Sequence, residues 1–164
     1  MKISVLYHSL SGTTKRMAEA IREGIDSVDG VESGIFSIDN SDAEFIRESR
    51  CIILGSPVYY ASMSGEIKIW FEKSARAYAL QGKLGGAFAT ADYVHGGGEI
   101  ALQNILSHML VYGMLAYSGG GAYGKPVIHL GPVAIKENAD RYIETFNTYG
   151  SRMAMKTLEL FGKQ

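Results

Sequence analysis

The segment Cys51-Ile52-Ile53-Leu54-Gly55 runs without a polar side chain, and it constrains the fold more than any other stretch. A strand with one wet face alternates apolar and polar residues. An unbroken apolar run of this length predicts a strand buried on both faces, as in a parallel sheet covered on each side by helices. Ile3-Ser4-Val5-Leu6-Tyr7 reads as the first strand, residues 35–38 as a second, residues 84–91 as a fourth and residues 114–117 as a fifth, with one more apolar piece at residues 127–130. Helical patterns separate them. Met17, Ala20, Ile21, Ile25 and Val28 share one face of a helix starting near Gly12, while Lys15, Arg16, Glu19, Arg22 and Glu23 fall mainly on the other. Helices over residues 42–48, 63–80 and 99–112, and a last one capped at Asn138 and reaching about residue 161, complete the alternation.

Parallel neighbours require a crossover connection, so this order predicts an α/β, doubly wound, five-stranded parallel sheet in three layers. A chain of 164 residues suits a single domain over its whole length. In such sheets a ligand sits beyond the carboxyl ends of the strands, where the winding direction reverses. The loops after strands one, three and four are therefore the candidate site.

Composition narrows the function classes. Lys plus Arg number 16 against 17 Asp plus Glu, so the basic excess that grips a nucleic-acid backbone is missing. One cysteine, Cys51, allows no internal disulfide framework and no multi-thiolate zinc site, which fits a reducing cytoplasm. The apolar run behind Lys2 is too short for a signal peptide, and residues 105–117, interrupted by Ser107 and His108, fall short of a membrane span.

The first loop is Tyr7-His8-Ser9-Leu10-Ser11-Gly12-Thr13-Thr14. Its backbone amides and four hydroxyl side chains, from Ser9, Ser11, Thr13 and Thr14, converge where a helix N-terminus favours an anion, so a phosphate fits there without a metal. A plain Ser/Thr-rich helix cap is the simpler alternative, although four hydroxyl residues exceed what capping needs. The second loop, Ser56-Pro57-Val58-Tyr59-Tyr60-Ala61-Ser62, starts as a turn and brings two aromatic rings that can stack on a flat heterocycle or pack on the sheet edge. The third, Thr90-Ala91-Asp92-Tyr93-Val94-His95-Gly96-Gly97-Gly98, can wrap backbone groups around a ring edge.

Other motifs lead nowhere. Gly119-Gly120-Gly121-Ala122-Tyr123-Gly124 with Lys125-Pro126 nearly matches a nucleotide-binding P-loop, but Pro126 replaces the hydroxyl residue that meets magnesium and no helix follows. His8, His95, His108 and His129 are dispersed and form no metal spacing; the first two lie in site loops, and the last two read as structural, His129 on a strand. No serine sits in a nucleophile elbow with His and Asp partners.

With these loops placed, the chain resembles the flavodoxin superfamily, and within it the WrbA-type NAD(P)H:quinone oxidoreductases. Ser9-Leu10-Ser11-Gly12-Thr13-Thr14, Gly55-Ser56-Pro57-Val58-Tyr59-Tyr60 with Met63-Ser64-Gly65, Gly82-Lys83-Leu84 with Gly96-Gly97-Gly98-Glu99, and Tyr112-Gly113-Met114 with Gly119-Gly120-Gly121-Ala122-Tyr123-Gly124 carry that resemblance. It implies a flavodoxin-like sheet in the order 2-1-3-4-5. It also implies FMN with its phosphate at Ser9, Leu10, Ser11, Gly12, Thr13 and Thr14. The ring system then lies beside Pro57, Val58, Tyr59, Tyr60 and Ala61, with further contacts from Thr90, Ala91, Asp92, Tyr93, Gly96, Gly97 and Gly98. Tyr112 stands where WrbA-type enzymes carry a histidine near the flavin, so Tyr59, Tyr60 and Tyr112 become the candidates beside the reacting ring.

The activity implied is FMN-dependent electron transfer from NAD(P)H to a quinone or similar acceptor, in a homodimer or homotetramer. The alternative is a flavodoxin-type one-electron carrier without its own substrate. Carriers of that kind are strongly acidic, whereas this chain has a net charge of −1.

Overall fold

The computed structural model describes residues 1–162. Its strands are β1 (Lys2–Tyr7), β2 (Glu32–Ser37), β3 (Cys51–Tyr59), β4 (Ser62–Met63), β5 (Leu84–Ala91), β6 (Leu115–Ala116) and β7 (Val133–Ile135). Its helices are α1 (Thr13–Asp26), α2 (Ala43–Glu48), α3 (Gly65–Lys73), α4 (Gly98–Val111) and α5 (Ile143–Phe161). The sheet runs β2-β1-β3-β5-β6 with every neighbouring pair parallel, which is the flavodoxin-like order 2-1-3-4-5. Two short strands lie off that path: β4 turns back antiparallel on the end of β3, and β7 runs parallel to the end of β5.

Two apolar layers enclose the sheet. On one side Ile3, Val5, Ile53 and Phe88 pack against Met17, Ile21 and Ile25 of α1 and Phe146, Tyr149 and Met153 of α5. On the other, Leu6, Ile52, Leu54 and Ala87 meet Ile46 of α2, Ile67, Trp70 and Phe71 of α3, and Leu102, Ile105 and Met109 of α4. Side chains of a strand alternate between faces, so β3 feeds both layers, and this is why its run lacks polar residues. Residues 51 to 56 are all buried.

Several boundaries differ from those read off the sequence. β2 begins three residues earlier, at Glu32. β3 continues through Ser56, Pro57 and Val58 to Tyr59, so that segment is extended chain and no turn. Pro57 is accommodated because it lies where β3 runs beyond β1, whose pairing ends at Gly55. α3 stops at Lys73 and a 3-10 turn follows at Ala75–Tyr78. α5 begins at Ile143, since Asn138 has non-helical φ and ψ inside the 3-10 stretch Lys136–Tyr142.

The largest correction concerns residues 127–130, which form no strand. Val133–Ile135 pairs with β5 instead, and Ile128 is buried from an irregular segment. Just before this segment, the buried guanidinium of Arg152 on α5 donates to the carbonyls of Gly120, Tyr123, Gly124 and Pro126, which ties the irregular chain that precedes residues 127–130 to α5.

Candidate functional site

β1, β3 and β5 end on the same edge of the sheet, and their three following loops meet there. β1 passes into α1 through Gly12, whose φ of 90° is left-handed and favours glycine. The amide of Gly12 donates to Ser9 Oγ at 3.2 Å, and no side chain caps the start of α1. Ser11 and Thr13 border a cavity of about 120 Å³, together with Pro57, Val58, Tyr59, Thr90, Ala91, Asp92 and Lys136.

Four converging hydroxyls were expected from this loop, and the structure brings two to the cavity. Ser9 is engaged by the loop's own amide. Thr14 turns inward, with its Oγ1 at 2.8 Å from Thr90 Oγ1 and both residues buried. Leu10 is exposed on the rim.

The second loop is a tight hairpin. Val58 pairs with Met63 and Tyr59 with Ser62, leaving Tyr60 and Ala61 as a two-residue turn with φ of 48° and 58°. Two left-handed residues match the twist of the flanking strands, but the usual occupants are Asn and Gly, so this turn carries backbone strain. The strain is held in place from outside. Ser56 Oγ accepts the Ser64 amide at 2.8 Å and donates to the Pro57 carbonyl at 2.7 Å, and Asn104 of α4 donates to Ser62 Oγ at 2.9 Å. Tyr60 is fully exposed as a result.

The third loop closes on this hairpin. Gly97 has φ of 97°, and a Cβ placed on it would stand 2.5 Å from Ala61 Cα, so both its conformation and its neighbour require glycine. A second cavity, about 510 Å³, opens between the loops and is lined by Val58, Tyr59, Tyr60, Ala61, Ala91, Asp92, Tyr93 and Gly96. It shares Val58, Tyr59, Ala91 and Asp92 with the smaller cavity. Gly98 contributes through packing, since a Cβ there would meet Val133 Cγ1 at 2.7 Å.

Sequence reasoning missed Lys136. It follows β7, borders the smaller cavity and stands with Nζ 3.9 Å from Asp92 Oδ1. A three-residue strand has too little periodicity to be recognised, so nothing local marked this lysine as a neighbour of Ser11. Arg16 of α1 pairs with Asp140 in the same way, tying the 3-10 stretch after β7 to the first helix.

Tyr112 lies elsewhere. α4 runs back along the sheet, so its C-terminal cap is at the opposite edge, where Gly82 donates to Gly113 and Leu115 to Lys83. There the Tyr112 hydroxyl donates to the Phe71 carbonyl and its ring stacks on Phe71. Within this chain Tyr112 is a packing residue, far from Tyr59 and Tyr60. His95 is exposed, His108 bonds the Asn104 carbonyl through Nδ1, and His129 is on no strand. His129 borders a separate cavity of about 540 Å³ with Leu102, Ile128 and Tyr142, which contains none of the first two loops. Among the described residues no helix is long and apolar enough to cross a membrane.

A family model described as NADPH-dependent FMN reductase matches residues 43–125. A protein named flavodoxin from Clostridium saccharobutylicum is 45% identical over 161 residues, which is 98% of this chain and 100% of that relative. A protein named NAD(P)H dehydrogenase (quinone) from Syntrophobacter fumaroxidans is 26% identical over 196 residues, 94% of this chain and 96% of its own length. The crystal structure of a flavodoxin, WrbA-like protein from Agrobacterium tumefaciens superposes with a TM-score of 0.78 at 25% identity, covering 96% of this chain and 98% of that one. With the sheet order, the three loops and a full-length match at 45% identity in agreement, the chain belongs to the flavodoxin superfamily.

Proposed function

We propose that the chain binds FMN across the two adjoining cavities and works as an oxidoreductase that takes electrons from NAD(P)H and passes them to a quinone or similar acceptor. The junction of the cavities carries this reading. A small polar space bordered by Ser11, Thr13 and Lys136 adjoins a larger one bordered by Tyr59, Tyr60, Ala61 and Tyr93, which is the combination a phosphate-bearing flat heterocycle needs.

The hydroxyls of Ser11 and Thr13, the amides that open α1 and the positive end of that helix suit the phosphate. The ammonium of Lys136 adds charge of the same sense. Tyr59, Tyr60 and Tyr93 offer faces for stacking, and the hairpin and Gly97 hold them on a rigid floor made by the ends of β3 and β5. FMN, when bound, supplies reversible electron transfer that no side chain provides. The exposed outer rim leaves room for a small donor or acceptor to approach.

The description of the matching family model and the name of the Syntrophobacter relative support nicotinamide and quinone chemistry. The name of the Clostridium relative favours a second reading, a carrier that exchanges electrons with protein partners. FMN-loaded protein mixed with NADH or NADPH and a benzoquinone is expected to oxidise the nicotinamide well above the rate of an equal concentration of free FMN. A rate equal to free FMN removes the enzyme reading and leaves the carrier, and a chain that binds no FMN removes both.

A further inference from the structure

The edge at which β1, β3 and β5 begin, opposite the three loops, holds a cavity that the cofactor reading leaves unused. Two connectors wall it: the one from α2 into β3, and the one from the 3-10 turn at Ala75–Tyr78 into β5. The space measures about 520 Å³, and its charged and amide-bearing residues are Arg47, Glu48, Arg50, Gln81 and Lys83. Three cations therefore border it with one carboxylate, and Glu48 is already held by Lys2, whose Nζ lies 2.6 Å from Oε2.

Each cation is fixed in place with donors to spare. Lys83 is 6% exposed, and its Nζ donates to the Ile46 and Arg47 carbonyls at 2.7 Å, at the C-terminal end of α2. Those bonds use two of the three ammonium hydrogens, and the third has no partner among the described residues. Arg47 donates from Nε to the Ala77 carbonyl at 3.1 Å, which leaves its terminal nitrogens uncommitted. Arg50 is anchored by its own amide, which donates to the Lys2 carbonyl at 2.9 Å, and its guanidinium lies 6.0 Å from the centre of the Phe161 ring. Burial, and after it repulsion from Arg50, holds the Lys83 ammonium below its ordinary range. An oxyanion bridging these groups would satisfy the spare donors and relieve the crowding of like charges.

We propose that this cavity binds the phosphate group of a small phosphorylated metabolite, clamped by the Arg47 and Arg50 guanidiniums and the remaining Lys83 N–H, with the organic part lying beside Gln81. A phosphate monoester carries close to two negative charges near neutral pH, which answers the excess of cations over carboxylate. Guanidinium forks match phosphate oxygens in pairs. The volume exceeds what a lone phosphate fills and falls in the range of small-molecule sites. β5, eight residues long, puts roughly 25 Å between this cavity and the loops, so the bound molecule is a second ligand that does not touch the flavin.

Ribose 5-phosphate is the probe. The full chain, with FMN filling the loop cavities, is titrated at constant ionic strength while its backbone amides are followed by NMR. A chain that takes up no FMN is titrated as it is, because the shifts themselves report the position. Saturable shifts are expected at Ser49, Arg50, Gly82 and Lys83, with Ser11 and Thr13 unmoved. Arg50→Gln and Arg47→Gln should each weaken binding about ten-fold, and Glu48→Gln, which removes the carboxylate, should tighten it about two-fold or more. Inorganic phosphate should move the same amides with lower affinity, and ribose should move none.

Shifts confined to Ser11 and Thr13, equal shifts with ribose, or unchanged affinity across the three variants overturns the proposal. Inorganic phosphate binding as tightly as the ester overturns the metabolite and leaves free phosphate as the ligand. Should Arg50→Gln fail to fold, Arg47→Gln and Glu48→Gln decide, since they must move affinity in opposite directions.

Discussion

Thr14 Oγ1 and Thr90 Oγ1 lie 2.8 Å apart across 76 residues of sequence, both side chains buried, and this one bond joins the start of α1 to the end of β5. It places the first loop at a fixed height over the third. Replacing either threonine by valine strands the other hydroxyl, at a cost of about 1–3 kcal/mol. The pair Thr14→Val/Thr90→Val should cost less than the sum of the two, since no orphan remains. Urea denaturation of the four proteins of that cycle checks it, and additive losses would mean the hydroxyls are not coupled.

Gly97 and the Tyr60-Ala61 turn make an opposed pair of predictions. Gly97→Ala forces a side chain into left-handed backbone and against Ala61 Cα, so it should destabilise by about 1–3 kcal/mol and lower FMN affinity. Tyr60→Gly relieves a left-handed residue at an exposed position and should raise stability by up to about 1 kcal/mol. The same change removes a ring from the larger cavity, so FMN affinity should fall as stability rises. Thermal melts of the flavin-free protein beside flavin titrations separate the two effects.

Lys136 and Asp92 should act in opposite senses on FMN. Lys136→Met removes a cation from the cavity that holds Ser11 and Thr13, and affinity should weaken about ten-fold, or 1.4 kcal/mol, with a shallower salt dependence. Asp92→Asn removes the carboxylate that Lys136 faces and should tighten binding. Equal affinities across both variants and a range of salt would exclude Lys136 from the site.

Lys83 predicts a pH dependence of stability at the far edge of the sheet. Its ammonium is buried, donating to the Ile46 and Arg47 carbonyls at 2.7 Å, and desolvation, followed by repulsion from Arg50, pushes its pKa from 10.5 to about 8. Between these values the unfolded chain carries the extra proton, so this group makes the protein more stable as pH rises from about 8 toward 10.5. Burial raises the Cys51 thiol from 9.0 to about 12, where the folded chain keeps the extra proton, so its contribution falls with pH from about 9 upward. Net stabilisation from Lys83 should therefore show between about pH 8 and pH 9 and flatten above. Lys83→Met abolishes that rise, and denaturation midpoints across the range read it directly.

Much of the architecture was legible because it depends on near-neighbour patterns. The bare apolar run of β3 announced burial on both faces, and the spacing of Met17, Ile21 and Ile25 announced the face that α1 turns to the sheet. A loop rich in hydroxyls between a strand and a helix was likewise visible before its geometry was known. The split beyond β5 was not legible, since Ile128 is as apolar as any strand residue, yet the segment that pairs with β5 is Val133–Ile135. Tyr112 shows a placement that a family pattern does not encode: a residue matched to a position in that pattern sits, in this chain, on the opposite edge from the cavities.

Local periodicity and residue chemistry by themselves determined the parallel sheet, its helical layers and the edge at which the loops gather, because burial and helix phase are properties of short segments. Tertiary structure alone decided that Thr14 faces away from the cavity, since it is turned inward by a partner 76 residues distant. It alone brought Lys136 beside Ser11 and left His8 buried without a bond. Those outcomes depend on contacts between segments remote in the chain, and no local pattern encodes where a remote segment will pack.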